Sequence, residues 1–234
     1  SVYGYADTDR FLSENDETNP LTPYSTNKLK TETAINELAG QSFAPVMLRF
    51  ATLFGYSPRM RFDLYINMFV GMALTHGKIL LNSDGSSWRP NVHINDVCKV
   101  VRLVIEQPFH ESTVINVGNN KLNCQVKDVI HILKQQLPDL EVELAGANDE
   151  LFKDQYVVGG KDKRSYKVNF SKLESLFGDQ VCDTTIEEGI ADMILKFKEF
   201  ENFKTTFLDS KYYRLQWMKL MINQKRMDFD LNVI

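Results

Sequence analysis

The sequence predicts an α/β fold with a mainly parallel sheet, and two observations lead there. Apolar runs of strand length alternate with amphipathic stretches at helical spacing through most of the chain, and that alternation is the mark of strands joined through helices. With 234 residues, 43% hydrophobic and 11% aromatic, the chain can bury a sizeable core, and a globular domain with a smaller lobe is expected.

The elements follow in order. Ser1-Val2-Tyr3-Gly4 reads as the end of a buried strand entering a loop, with no strand, cap or polar tail before it. The expectation is therefore a chain entered part-way, the carboxyl-terminal two-thirds of a longer protein. Tyr5 to Pro23 is polar and closes on Asn19-Pro20-Leu21-Thr22-Pro23, a surface loop. A helix is predicted from about Tyr24 to Ala39, where Leu29, Thr33, Ala34, Ile35 and Leu38 recur at near-helical spacing. Ala44 to Phe50 is a buried strand and Gly55 the turn after it. Helix is expected from about Phe62 to Thr75, strands at Ile79–Leu81 and Pro90–Ile94, and helix from near Asn95 to Glu106. Strand at Val114–Val117, helix at Val126–Gln136 and strand at Leu140–Leu144 continue the alternation. Thr185-Ile186-Glu187-Glu188 has the form of a capping box opening a helix to about Phe200. In the last thirty or so residues, Tyr212, Leu215, Trp217, Met218 and Met221 fit an amphipathic terminal helix.

Composition narrows the function classes. A net charge of −4 with no dense Lys/Arg stretch argues against nucleic acid as a partner. The longest apolar runs, such as Val100 to Ile105 broken by Arg102, are too short to span a bilayer, and no signal segment opens the chain, so a cytoplasmic protein is expected. Cys98, Cys124 and Cys182 form neither CxxC pairs nor metal-ligand spacing with the four histidines, and read as reduced, mostly buried residues. No metal site is expected.

The chemistry-bearing pattern is Tyr24-Ser25-Thr26-Asn27-Lys28. Residues four apart share a helix face, so the Lys28 ammonium can sit beneath the Tyr24 phenol. A free tyrosine, with a pKa of about 10, is a poor base at neutral pH, whereas a neighbouring cation favours phenolate. That converts Tyr24 into a usable general acid–base.

Val2-Tyr3-Gly4, Glu14-Asn15-Asp16-Glu17, Pro20-x-x-Pro23-Tyr24-x-x-x-Lys28, Leu48-Arg49-Phe50-Ala51-Thr52-Leu53-Phe54-Gly55, Asp84-Gly85 and Arg89-Pro90-Asn91-Val92-His93-Ile94-x-Asp96-Val97 form six ordered blocks. In these blocks, from Ser1 to about Lys172, the chain resembles the extended short-chain dehydrogenase/reductase family, the NAD-dependent epimerases and dehydratases of nucleotide sugars. The resemblance implies the carboxyl-terminal part of a Rossmann-like doubly wound parallel sheet, a smaller α/β substrate-binding lobe and carboxyl-terminal helices. The expected division is residues 1–172 as an incomplete epimerase/dehydratase domain and 173–234 as a helical extension.

The resemblance further implies Tyr24 as catalytic base and Lys28 as the residue that holds the nicotinamide ribose while tuning Tyr24. Phe50 and Ala51 would lie near the nicotinamide and Thr52 near the sugar. Arg89 would contact the substrate diphosphate, for which a planar guanidinium is well suited. Arg164, in Lys161-Asp162-Lys163-Arg164-Ser165-Tyr166, would add a second phosphate contact, with Asn67, Arg59 and Arg61 as weaker candidates. His93, inside an apolar strand, reads as a core residue. The implied cofactor is NAD, with NADP open, and the implied partners are a nucleoside diphosphate sugar and a second copy of the chain, a homodimer through two helices.

The chain also departs from the family pattern. None of its twelve glycines forms GxxGxxG, the loop that sets the cofactor pyrophosphate on a helix N-terminus. Ser1 stands where sugar 4,6-dehydratases and glucuronate decarboxylases carry glutamate, which favours an epimerase or a reductase. The expected activity is epimerisation through a transient keto sugar. The alternatives are an NAD(P)-dependent reductase or dehydrogenase and a non-catalytic sugar-nucleotide-binding fragment.

Overall fold

The computed structural model of the chain describes residues 2–4, 9–144, 164–228, 230, 232 and 233. Ser1 and Lys161–Lys163, which carry sequence expectations, lie outside the described residues. The elements run β1 (Phe11–Leu12), α1 (Pro23–Glu37), β2 (Val46–Phe50), β3 (Thr52–Phe54), α2 (Tyr65–His76), β4 (Lys78–Leu81), β5 (Trp88–His93), α3 (Ile94–Glu106) and β6 (Thr113–Val117). They continue with β7 (Asn123–Gln125), α4 (Val126–Gln136), β8 (Glu141–Leu144), β9 (Lys167–Val168), α5 (Ser171–Phe177), α6 (Ile186–Glu199), α7 (Phe203–Leu208) and α8 (Arg214–Asn223).

The fold is α/β with parallel pairing. β1–β9, β2–β6, β3–β5 and β4–β8 are all parallel, and β5–β7 is antiparallel. Parallel neighbours this far apart in sequence need crossovers, and helices supply them. The chain forms two compact units. The first is Ser1–Phe54, Gly85–Val129 and Lys163–Glu188, and the second is Gly55–Asp84, Ile130–Asp162 and Gly189–Ile234.

In the first unit, Val46↔Thr113 through Phe50↔Val117 sets the β2–β6 register. Ile115, Val117, Val92, Val100, Phe170 and Leu173 are fully buried in one apolar cluster. Gly118, one residue past β6, lies where an added Cβ would come within 2.6 Å of the Phe170 ring and 3.1 Å of the Ala51 Cβ, so only glycine lets these residues close over the strand end. A set of asparagines fastens the segment carrying β9. The Asn123 amide donates to the Val168 carbonyl at 2.9 Å and accepts from the Val168 N–H at 2.8 Å, completing the pairing of that residue as a strand would. Asn120 accepts from the Phe170 N–H at 3.0 Å and donates to Glu174 at 3.0 Å.

The second unit is held by rings. Phe62 has five aromatic neighbours with centroids 5.0–6.2 Å away, from Phe207 to Tyr213, and Phe197 stacks on Phe203 at 4.4 Å. Gly71 in α2 lies against the Phe207 ring, so a Cβ there would collide with it.

Several sequence expectations change, among them the buried strand at Ala44–Phe50, whose observed part, β2, is half-buried with Phe50 exposed. Val2 and Tyr3 are buried as expected but form a turn rather than a strand end. Gly4 takes the left-handed φ of +64°, packed against the Asn19 carbonyl, while the Val2 carbonyl accepts from the Asn19 N–H at 2.9 Å. The terminal amphipathic segment is broken into α7, a 3₁₀ turn at Ser210–Tyr212 and α8, because the Asp209 carboxylate caps the Lys211 N–H at 3.0 Å and restarts the chain direction. Cys182 is buried, but Cys98 is exposed on α3.

Candidate active site

The site is built from the start of α1 and the carboxyl ends of β2 and β6, the end of a parallel sheet where α/β folds receive ligands. α1 opens with a reciprocal cap: the Thr22 hydroxyl accepts from the Ser25 N–H at 3.2 Å and the Ser25 hydroxyl accepts from the Thr22 N–H at 3.1 Å. Pro23 supplies a preset φ at the first helical position. This start aims the next residue, Tyr24, at solvent, 59% exposed. The Lys28 ammonium lies 5.8 Å from the centre of the Tyr24 ring, as the four-residue spacing requires.

Arg49, in β2, ties these pieces together. Its guanidinium grips the Glu32 carboxylate of α1 through two bonds, Nε at 2.9 Å and Nη2 at 2.5 Å, and Nη1 donates to the Tyr3 hydroxyl at 2.9 Å and to the Glu14 carbonyl at 3.3 Å. The Tyr3 hydroxyl donates to the Asn116 side-chain oxygen at 2.8 Å, and the Asn116 N–H is held by the Glu14 carboxylate at 2.7 Å. Burial pushes the Tyr3 phenol above its ordinary pKa against the opposing pull of Arg49, so it stays neutral. Burial works against the Arg49 charge, but its bonds to Glu32 and Tyr3 outweigh that and raise its pKa. A small cavity opens beside this network, lined by Tyr3, Arg49, Phe50, Ala51, Asn116 and Tyr166, with Val2, Pro90 and Val168 completing the wall.

The structure thus gathers several of the sequence-predicted residues in the first unit. Tyr24 and Lys28 share a side of α1, and Phe50 and Ala51 line the cavity at the end of β2. Thr52 opens β3, half-buried and paired with Asn91. Arg89 is 9% exposed, and its Nη1 donates to the Trp88 carbonyl at 2.9 Å and to the Arg164 carbonyl, so the two arginines meet through main chain. His93 is buried, caps α3 through the Asn95 N–H at 3.4 Å and meets the Phe54 ring edge-on at 5.2 Å. Asn67 is different: it lies in the second unit, where its amide accepts from the Gly55 N–H and donates to the Arg61 carbonyl, both at 3.1 Å. Arg61 pairs with Asp63 through two bonds, and Arg59 is exposed. Sequence reasoning assigned no role to Arg49, Tyr3 or Asn116. One signal was present: an arginine in the middle of an apolar strand, a residue that is rarely buried unless paired.

Residues 1–118, half of the chain, match the model of the NAD dependent epimerase/dehydratase family. The chain belongs to that family. Among solved structures, MoeE5 in complex with UDP-glucuronic acid and NAD superposes with a TM-score of 0.69 at 25% identity, over 85% of this chain and 62% of that one. TunA, an NAD-dependent NDP-hexosamine 5,6-dehydratase involved in tunicamycin biosynthesis, gives 0.69 at 23% identity, over 86% and 61%. The UDP-glucuronic acid 4-epimerase of Bacillus cereus, in complex with UDP-glucuronic acid and NAD, gives 0.68 at 22%, over 85% and 59%. The chain therefore spans 59% to 62% of the length of these proteins.

Within this family member, the residues expected around the nicotinamide end of NAD fit such a group on the observed geometry. An exposed phenol with a cation one turn away stands at the start of α1, and the apolar strand end of Phe50 and Ala51 borders a cavity. Among the described residues, no helix is long and apolar enough to cross a membrane.

Proposed function

We propose that the protein is an NAD-dependent nucleotide-sugar epimerase that works through Tyr24 and Lys28. The observation that carries this reading is the pairing of an exposed phenol with an ammonium one turn along α1, on a helix tied to a strand that ends at a cavity. NAD, when bound, supplies a hydride acceptor and donor. The chain's own residues handle the proton. Tyr24 Oη takes the proton of a sugar hydroxyl as that carbon is oxidised to a ketone, and returns it when the ketone is reduced. The Lys28 ammonium stands one turn along α1, 5.8 Å from the centre of that ring.

Phe50 and Ala51 offer the apolar wall against which a flat ring can lie, and Thr52 a hydroxyl for the sugar. Arg89 and Arg164 are the cations proposed for the diphosphate, whose oxygens a guanidinium can bind in pairs. Asn67 is a further proposed substrate contact. The proposed substrate is a nucleoside diphosphate sugar, and the proposed assembly a homodimer.

The test is product analysis after the protein, expressed from its complete reading frame, is incubated with NAD and a panel of UDP-, dTDP-, CDP- and GDP-sugars. The expected result is conversion to an epimer with no net NADH. Tyr24→Phe should lower that turnover by about 10²- to 10⁴-fold without altering the fold. Net consumption of cofactor would instead make the protein a reductase or dehydrogenase, and binding without turnover would make it a sugar-nucleotide-binding protein.

A further inference from the structure

We propose that Arg49 and Glu32 are positioning residues that fix the Tyr24 and Lys28 side of α1 against the end of β2. The proposal rests on the catalytic reading of Tyr24 given above. Tyr24, Lys28 and Glu32 follow one another at four-residue intervals, so they lie on the same side of the helix over two turns. The residue that grips this side, Arg49, immediately precedes Phe50 and Ala51 in the chain.

What gives this pair its weight is how little else among the described residues holds α1. Of the helix residues only Ser25 is buried, and Leu29 and Ile35 are half-buried. A helix normally takes its place by burying an apolar stripe, and α1 buries none fully. Among the described residues of the first unit, its directional ties are the Thr22 cap at its start, Asn36 accepting from the Ser112 hydroxyl at 2.6 Å at its far end, and the Arg49–Glu32 grip between them. The grip is the tie that reaches β2, with side chains only 11% and 16% exposed. A two-bond guanidinium–carboxylate contact fixes angle as well as distance, which a single-point ion pair does not. Because Nη1 also donates to Tyr3 and to the Glu14 carbonyl, the guanidinium is held on a second side. The result is a rigid link from the loop carrying Glu14 and the turn carrying Tyr3, through β2, to the side of the helix that presents the phenol.

The experiment is hydrogen–deuterium exchange on the protein expressed from its complete reading frame and on its Glu32→Gln, Arg49→Lys and double variants. A peptide spanning α1 is followed together with one covering β6. Glu32→Gln keeps the shape of the side chain and Arg49→Lys keeps the charge, so neither needs to unfold the protein. Loss of the grip should speed exchange in α1 by about tenfold or more while β6 stays protected, and the double variant should exchange no faster than the single ones. Unchanged exchange in α1 overturns the proposal. Equal acceleration in α1 and β6 also overturns it, since the pair would then serve general stability alone. Turnover on the same preparations gives the second reading. The positioning role predicts a fall in kcat with KM for the nucleotide sugar held within about twofold, and a loosened α1 with unchanged kcat overturns it. Absence of turnover in the unsubstituted protein counts against the epimerase reading, while the exchange data still decide whether the pair positions the helix.

Discussion

Both units of this protein bury apolar side chains, but what is added to that burial differs between them. The first is fastened by directional hydrogen bonds from Asn116, Asn120, Asn123 and Arg49, each with named main-chain or side-chain partners. The second is fastened by rings around Phe62 that need volume and contact but little direction. The contrast teaches where accuracy is needed. A hydrogen bond fixes atoms to within a few tenths of an ångström and is lost when its partner moves, whereas an apolar cluster tolerates small rearrangements at modest cost. The unit that carries Tyr24, Lys28, Phe50 and Ala51 is the one built with bonds.

That contrast can be broken most forcefully at Phe62, which is 1% exposed. Phe62→Ala should cost roughly 3–5 kcal/mol in denaturant unfolding, from lost burial and the cavity left behind. Phe62→Leu, which keeps most of the volume, should cost distinctly less. A similar loss for both would show that ring geometry, not volume, holds the second unit. Next in size is Asn123, whose removal leaves the buried N–H and C=O of Val168 without their partners. Asn123→Ala should cost about 1–3 kcal/mol. Here the size-matched replacements should bring no relief: Asn123→Leu loses both bonds, and Asn123→Asp loses the donor and buries a charge. If Asn123→Leu proved as benign as Phe62→Leu, the distinction between the units would collapse.

Local pattern made much of the fold legible. The bounds read for β2, α3, β6 and α4 differ from the observed ones by two residues or fewer, because each has an unbroken apolar period or a clear cap. The Thr185–Glu188 box is present as read, with Thr185 N–H to Glu188 at 2.8 Å and Glu188 N–H to Thr185 at 3.1 Å. Apart from α5, which was not read, the misses named here are short elements whose existence depends on a distant partner. β1 and β9 are two residues each and are strands only because Phe11 meets Lys167 and Leu12 meets Val168. β7 exists because Asn123 to Gln125 faces Pro90 to Trp88. In the site, the i, i+4 relation of Tyr24 and Lys28 is a local fact and could be read. The Arg49–Glu32 grip spans seventeen residues and the Tyr3–Asn116 bond 113, separations that no period encodes. Asn67 was named as a weaker candidate, but its two bonds, to the Gly55 N–H and the Arg61 carbonyl, were not legible.

The smallest predicted effect reads the first unit alone, because Cys98, Cys124 and Cys182 all lie in it. Burial first, and the charges of Asp96 and Asp183 next to it, push the Cys182 thiol up from 9.0 to about 12, with Lys99 opposing. A buried neutral thiol is unreactive, whereas Cys98 is exposed. At pH 8 an alkylating reagent should therefore modify Cys98 quickly and Cys182 only as the unit opens. The sign of the pH effect follows from the raised value. Above pH 9 the thiol of the unfolded chain gives up its proton while the folded one keeps it, so the folded state binds more protons and its stability falls as pH rises toward 12. Denaturant midpoints should accordingly decline more steeply from pH 9 to 10.5 in the unsubstituted protein than in Cys182→Ser, whose hydroxyl does not titrate there. Equal slopes would mean that the site around Cys182 admits water, and Cys182 alkylation matching that of Cys98 would say the same of the hydrogen-bonded unit as a whole.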